Sequence, residues 1–197
     1  MSAPLRLAVL VSGAGRTLEN LAARIAAGTL PAHVAVVLSS KTGVAGRDVA
    51  LRNGFPLVEL FRAGFPDDAS FGAAIHSALS PFRPDLIVLA GFLHFLSIPP
   101  DWRGRVVNIH PALLPRFGGK GMYGERVHKA VLAAGEKESG CTVHWVDDVY
   151  DHGAAILQKR VPVLAGDSPE SLGKRVFESE CEAYPEALAK LARAARP

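Results

Sequence analysis

The chain has 197 residues, with 22 Lys+Arg against 19 Asp+Glu and a formal net charge of +3. Hydrophobic residues make up 49%, which excludes a disordered chain and fits one buried core, read here as a single domain over 1–197. The basic excess is small and forms no Lys/Arg run, so small anionic molecules suit it as partners and nucleic acid does not.

Leu5–Val11 reads as a central strand, and the apolar run at Met1–Ser12 as that strand rather than a leader or a membrane span. Ser12-Gly13-Ala14-Gly15-Arg16-Thr17 follows, then an amphipathic helix with Thr17 as its expected cap. A strand, a glycine turn and a helix start aim backbone N–H groups at an anion, here a phosphate, with Arg16 as a further contact or a solvated side chain. A dinucleotide site is disfavoured. The third glycine of G-x-G-x-x-G is replaced by Leu18, and the strand around Val34–Leu38 ends in Ser39-Ser40-Lys41 without a carboxylate for a ribose.

Helices are expected over 44–53 and 67–79, and strands over 56–60 and 86–90, the last continuously apolar as in a parallel strand covered on both faces. The loop Gly91-Phe92-Leu93-His94-Phe95-Leu96 then either walls a flat ligand or fills the core. Val106-Val107-Asn108-Ile109-His110 is a strand that Pro111 must end. Asn108 and His110 are two apart and share a face at the strand's end, an amide donor beside a group that moves protons near neutral pH.

Four glycines within Arg116–Gly124 mark a mobile segment or a backbone that approaches a ligand closely, with Lys120 either closing on an anion or solvated. A helix over 127–134 and an alternating strand over 141–146 come next. One of Asp147, Asp148 and Asp151 is placed to pair with His110 and raise its pKa. The strand over 156–164 makes an antiparallel edge hairpin with its predecessor. The last helix starts with Ser168 as cap and Pro169 at its first position and runs to about Arg193, kinked or broken at Pro185. The fold expected is α/β, a mostly parallel twisted sheet with helices on both faces. Cys141 and Cys181 match no metal-ligand spacing and read as free thiols of a reducing cytosol; the seven histidines show no H-E-x-x-H spacing, so no metal is implied.

Taken together, Ser12-Gly13-Ala14-Gly15, Leu89-Ala90-Gly91-Phe92, Asn108-Ile109-His110-Pro111-Ala112-Leu113-Leu114-Pro115, Gly140-Cys141-Thr142-Val143-His144 and Asp151-His152-Gly153 resemble the folate-dependent formyltransferases, and among them the glycinamide ribonucleotide formyltransferases, from residue 5 to about 190. The resemblance implies a Rossmann-like formyltransferase fold. It also implies a cytoplasmic enzyme, monomeric or homodimeric, that moves the formyl group of 10-formyltetrahydrofolate to the amine of 5-phosphoribosylglycinamide in purine synthesis. Its partners would then be two small molecules, a phosphorylated ribosyl amine and a folate.

Carried over by position, Asn108, His110 and Asp151 match the catalytic trio: Asn108 and a protonated His110 would hold the oxyanion while Asp151 keeps His110 protonated. Gly15, Arg16 and Thr17 match the phosphate site and Glu180 the glycinamide site. Leu93, His94, Phe95 and Leu96 match the folate pocket together with Asn108 and the turn Asp147-Asp148-Val149-Tyr150-Asp151. His144 matches a supporting histidine. Arg16-Thr17 stand where the family usually has Ser-Asn, His94 where an arginine is frequent and His152 where glycine is common. The alternatives are formyl transfer to another amine, such as a nucleotide-linked amino sugar, and hydrolysis of formyltetrahydrofolate.

Overall fold

The computed structural model describes residues 4–194; the first three residues of the amino-terminal run read as a strand lie outside them. A seven-stranded sheet has the order β3-β2-β1-β4-β5-β6-β7. The chain divides into two compact units, one formed by residues up to 107 together with those from 188 onward, the other by 108–187.

In the first unit, β1 (Leu5–Val11), β2 (Ala32–Ser39), β3 (Leu57–Glu59) and β4 (Leu86–Leu89) pair in parallel, with α1 (Arg16–Ala26), α2 (Ala45–Arg52) and α3 (Asp68–Leu79) as their connections. Parallel strands covered on both faces need apolar residues throughout. Leu7, Ala8, Val9, Leu10 and Val11 are all fully buried, and burial of each Leu or Val contributes about 1.5–3 kcal/mol. α3 begins where expected because Asp67 is its cap: its carboxylate accepts from the Ser70 N–H at 2.7 Å.

α1 does not start as expected. Its cap is Gly15, left-handed at φ 74, and Thr17 lies inside the first turn with no cap hydrogen bond. The reason is steric. A Cβ on Gly15 would stand 2.4 Å from the Gly46 Cα, so the turn must be a bare backbone, and it sets the helix start ahead of Thr17.

β5 (Val106–His110) ends before Pro111 as the sequence requires and carries the chain into the second unit. There α4 (Glu125–Ala133) leads to β6 (Glu138–Trp145), which pairs antiparallel with β7 (Ala155–Pro162) from Glu138↔Pro162 to His144↔Ala155. The expected edge hairpin is therefore present. α5 (Pro169–Ala194) opens on a reciprocal cap in which the Ser171 N–H donates to Ser168 Oγ and the Ser168 N–H to Ser171 Oγ. It stays helical through Pro185 instead of breaking there. Leu172, Val176, Ala183, Tyr184 and Ala187 are fully buried along it, and a long buried stripe of this kind outweighs one lost backbone hydrogen bond.

Candidate active site

The end of β5 delivers Asn108 and His110 to the same neighbourhood, and the turn after β6 brings Asp151 to meet them. His110 is 3% exposed. Its Nε2 donates to the Phe117 carbonyl at 2.8 Å, and its Nδ1 lies 3.4 Å from Asp151 Oδ2. Asp151 Oδ2 accepts from the Gly119 N–H at 3.0 Å, and its Oδ1 lies 3.6 Å from His144 Nε2. Asn108 Nδ2 donates to that same His144 Nε2 at 3.1 Å, while His144 Nδ1 donates to the Trp145 carbonyl at 2.8 Å. Asn108, His110, His144 and Asp151 thus form one connected polar cluster.

The segment between His110 and the glycine loop is held by a side-chain relay. Thr142 Oγ1 donates to the Ala112 carbonyl at 2.7 Å and accepts from the Leu114 N–H at 3.1 Å, and Gln158 Nε2 donates to the Leu114 carbonyl at 2.9 Å. Beyond it, Phe117 and Asp151 both have left-handed backbones, at φ 57 and 53. For a bulky residue such as phenylalanine this costs about 1–2 kcal/mol. It turns the Phe117 carbonyl toward His110. Gly118 has no room for a side chain: a Cβ would sit 2.6 Å from Leu114 Cδ2 and 3.1 Å from Asp151 Cβ. The glycine-rich loop is therefore a backbone that approaches the site closely, one of the two readings its sequence allows.

The electrostatics pull His110 in two directions. Burial lowers its pKa from the ordinary 6.5, while the Asp151 carboxylate and the Phe117 carbonyl both raise it. Burial pushes Asp151 upward, but His144, His110 and the Gly119 N–H together hold it below 3.8. Asp151 is the acidic residue that meets His110, as expected, and an acceptor faces each nitrogen of the ring.

The other candidates of the second unit lie on the turn after β6 and on α5. Asp147 Oδ1 accepts from the Val149 N–H and its Oδ2 pairs with His152 Nδ1, both at 2.9 Å, on the exposed side of the turn that also holds Asp148 and Tyr150. Glu180 lies on α5 near Cys141, whose buried thiol is pushed up to about 11. In the first unit, Ser12 at the end of β1 bonds Ser40 Oγ at 2.6 Å and accepts from the Leu93 N–H at 3.0 Å. This joins the Gly13–Thr17 turn to the 91–96 loop at the carboxyl ends of parallel strands, where open α/β sheets keep their ligands.

Within that loop the side chains diverge. Leu96 is buried at 3% exposure and Leu93 is exposed. His94 stands edge-on to Phe71 and Phe92, with ring centres at 5.6 and 5.5 Å. Its Nε2 is buried without a hydrogen-bond partner, and burial, with Lys41 and Arg62 nearby, lowers its pKa. Among the described residues no group of three or more His, Cys, Asp or Glu side chains is placed to hold a metal ion, and no helix is long and apolar enough to cross a membrane.

Sequence reasoning missed two members of the cluster, the Phe117 carbonyl and the Gly119 N–H. Both are main-chain groups, and only the local glycine density signalled that a backbone would come close.

A family profile described as "Formyl transferase" matches residues 5–188. The chain belongs to the formyl transferase family. Among solved members, glycinamide ribonucleotide transformylase 1 from Symbiobacterium toebii is 36% identical and superposes with a TM-score of 0.91 over 98% of this chain and 90% of that one. Phosphoribosylglycinamide formyltransferase from Brucella melitensis is 37% identical with a TM-score of 0.87, covering 96% of each chain. The trifunctional purine biosynthetic protein adenosine-3 of Drosophila melanogaster is 45% identical over 190 residues, 94% of this chain but 14% of that protein. The chain thus spans a small fraction of the trifunctional formyl transferase relatives and nearly the full length of the bacterial ones.

Proposed function

We propose that this formyl transferase moves the formyl group of 10-formyltetrahydrofolate to the amine of 5-phosphoribosylglycinamide, acting as a single formyltransferase domain in the cytoplasm. The observation that carries the reading is the Asn108–His110–Asp151 cluster with His144 behind it, in a chain whose full-length solved relatives bear the name of this activity.

The proposed chemistry follows from the geometry. The substrate amine attacks the formyl carbon, and the carbonyl oxygen gains negative charge. Asn108 has one amide N–H committed to His144 and a second to give to that oxygen. At Nδ1, the nitrogen beside Asp151, neutral His110 takes the proton that the amine sheds, with a bound water carrying it to and from the buried ring. The imidazolium so formed has Asp151 Oδ2 at 3.4 Å from Nδ1 and the Phe117 carbonyl at 2.8 Å from Nε2, so acceptors face it on both sides. Its charge adds to the hold on the oxyanion, and its proton goes to the departing folate nitrogen as the tetrahedral intermediate collapses. Gly15, Arg16 and Thr17 take the substrate phosphate and Glu180 its glycinamide end. Residues 93–96 and the 147–151 turn take the folate, in part through main-chain atoms.

The test is folate product formation from 10-formyltetrahydrofolate with and without 5-phosphoribosylglycinamide, following formate and formylated acceptor together. Turnover that requires the acceptor and yields formylglycinamide ribonucleotide is expected. Formate release without acceptor, or turnover only with a different amine, overturns the assignment.

A further inference from the structure

The Phe117 carbonyl is the acceptor for His110 Nε2, and its residue has a left-handed backbone beside a cavity of about 310 Å³ lined in part by Leu114, Phe117, Val131 and Gln158. On its carboxyl side the backbone is anchored, since the Gly119 N–H donates to Asp151 at 3.0 Å. On its amino side the anchor is a side chain. Arg116, the residue before Phe117, makes a two-pronged ion pair with Glu136, just past the end of α4: Nη1 donates to Oε2 at 2.8 Å and Nη2 to Oε1. The same guanidinium lies 5.1 Å from the centre of the Phe117 ring.

We propose that Arg116 and Glu136 are positioning residues for the transfer reaction: their fork fixes the Phe117 carbonyl against His110 and so sets the orientation of the imidazole. The inference rests on the role given above to His110. Arg116 is largely exposed, and an exposed ion pair ordinarily contributes little; a planar two-pronged Arg–carboxylate contact that also stacks on an aromatic ring is the arrangement in which it contributes measurably. The expected effect is accordingly modest in size and specific in kind. Without the fork the carbonyl drifts from Nε2, and His110 loses one of the two groups that raise its pKa.

The experiment compares wild type, Arg116→Ala, Glu136→Gln, Arg116→Lys, the charge-swapped Arg116→Glu/Glu136→Arg and His110→Ala. Its readouts are steady-state kinetics over a range of pH and nitrogen-15 NMR of the His110 imidazole. Expected for Arg116→Ala and Glu136→Gln are a fall in kcat of about two- to fivefold with both KM values little changed, and a His110 pKa and pH–rate inflection moved to lower pH. Arg116→Lys recovers only part of the loss because a single ammonium cannot fork, and the swapped pair keeps a higher kcat than Arg116→Ala or Glu136→Gln. If His110→Ala is inactive while Arg116→Ala and Glu136→Gln leave kcat and the His110 resonances unchanged, the positioning role is wrong and the role of His110 stands. If His110→Ala keeps full turnover, the role of His110 falls and the positioning role with it.

Discussion

Asn108 and His144 fix each other's orientation. The Trp145 carbonyl can only accept, so His144 Nδ1 donates to it and fixes the ring, and His144 Nε2 then meets Asn108 Nδ2 at 3.1 Å. The second amide N–H is thereby aimed by a residue that need not touch substrate. Asn108→Ala is expected to lower kcat about 10²- to 10³-fold, the usual cost of one oxyanion donor. His144→Ala, which leaves the amide in place but free to rotate, should cost about 10- to 100-fold. Steady-state kinetics on variants with unchanged circular dichroism check both, and a His144→Ala enzyme at wild-type rate would contradict the coupling.

The His110–Asp151 pair predicts the pH profile. Because burial holds His110 below 6.5 and the neutral imidazole is the proton acceptor, kcat/KM should rise with pH through an inflection below 6.5 and be level at neutral pH. In Asp151→Asn the carboxylate that raises the imidazole pKa is gone, so the inflection should move further down while kcat also falls. Profiles of both enzymes measured side by side decide this, and an inflection that moves up in the variant would refute it.

Stability should follow the buried histidines. His110 and His128 are both lowered by burial, so between their folded values and 6.5 the unfolded chain binds the extra protons. Their contribution is full above 6.5 and is lost as the pH falls below 6.5 through the folded values. Asp151, itself lowered, adds stability that is present above 3.8 and lost as the pH falls further. Thermal unfolding from pH 8 to 5 should show a plateau and then a decline, and His128→Gln should flatten the decline whatever it does to the plateau.

Gly118 offers a structural test of the loop. Alanine there would push on Leu114 and on the Asp151 Cβ, and overpacking of this kind costs about 1–3 kcal/mol. Denaturant unfolding should register that loss, and kcat should drop with it because Asp151 is displaced. A stable variant with lowered kcat would still place the contact at the site; a stable variant with full activity would not.

Much of the frame was open to reading in the sequence because side chains declared it. Continuous apolar runs marked the parallel strands, Pro111 marked the end of β5, and the alternation of 141–146 beside 156–164 marked the edge hairpin. Asn108 and His110 follow from residue type and spacing, whereas the residues alone leave Asp147, Asp148 and Asp151 open and only the family resemblance singles out Asp151. What could not be read was set by backbone and by long-range packing. Thr17 is a good cap by composition, but the Gly15–Gly46 approach started α1 earlier. Pro185 is a helix breaker by propensity, but the buried face of α5 overrode it. The downward pull of burial on His110 depends on how deeply the ring is desolvated, and that is a property of the assembled fold.

The Gly15–Gly46 contact also bears on how this protein can vary. The turn assigned to phosphate and the start of α2 touch through two bare backbones, and a Cβ on Gly46 would itself stand 2.9 Å from the Gly13 carbonyl and 3.3 Å from the Gly15 Cα. When two large side chains collide, trimming one makes space for the other. Neither partner here has anything left to trim. The positions are 31 apart in the chain yet must tolerate change together or not at all, so drift at either one is blocked by a neighbour that cannot yield.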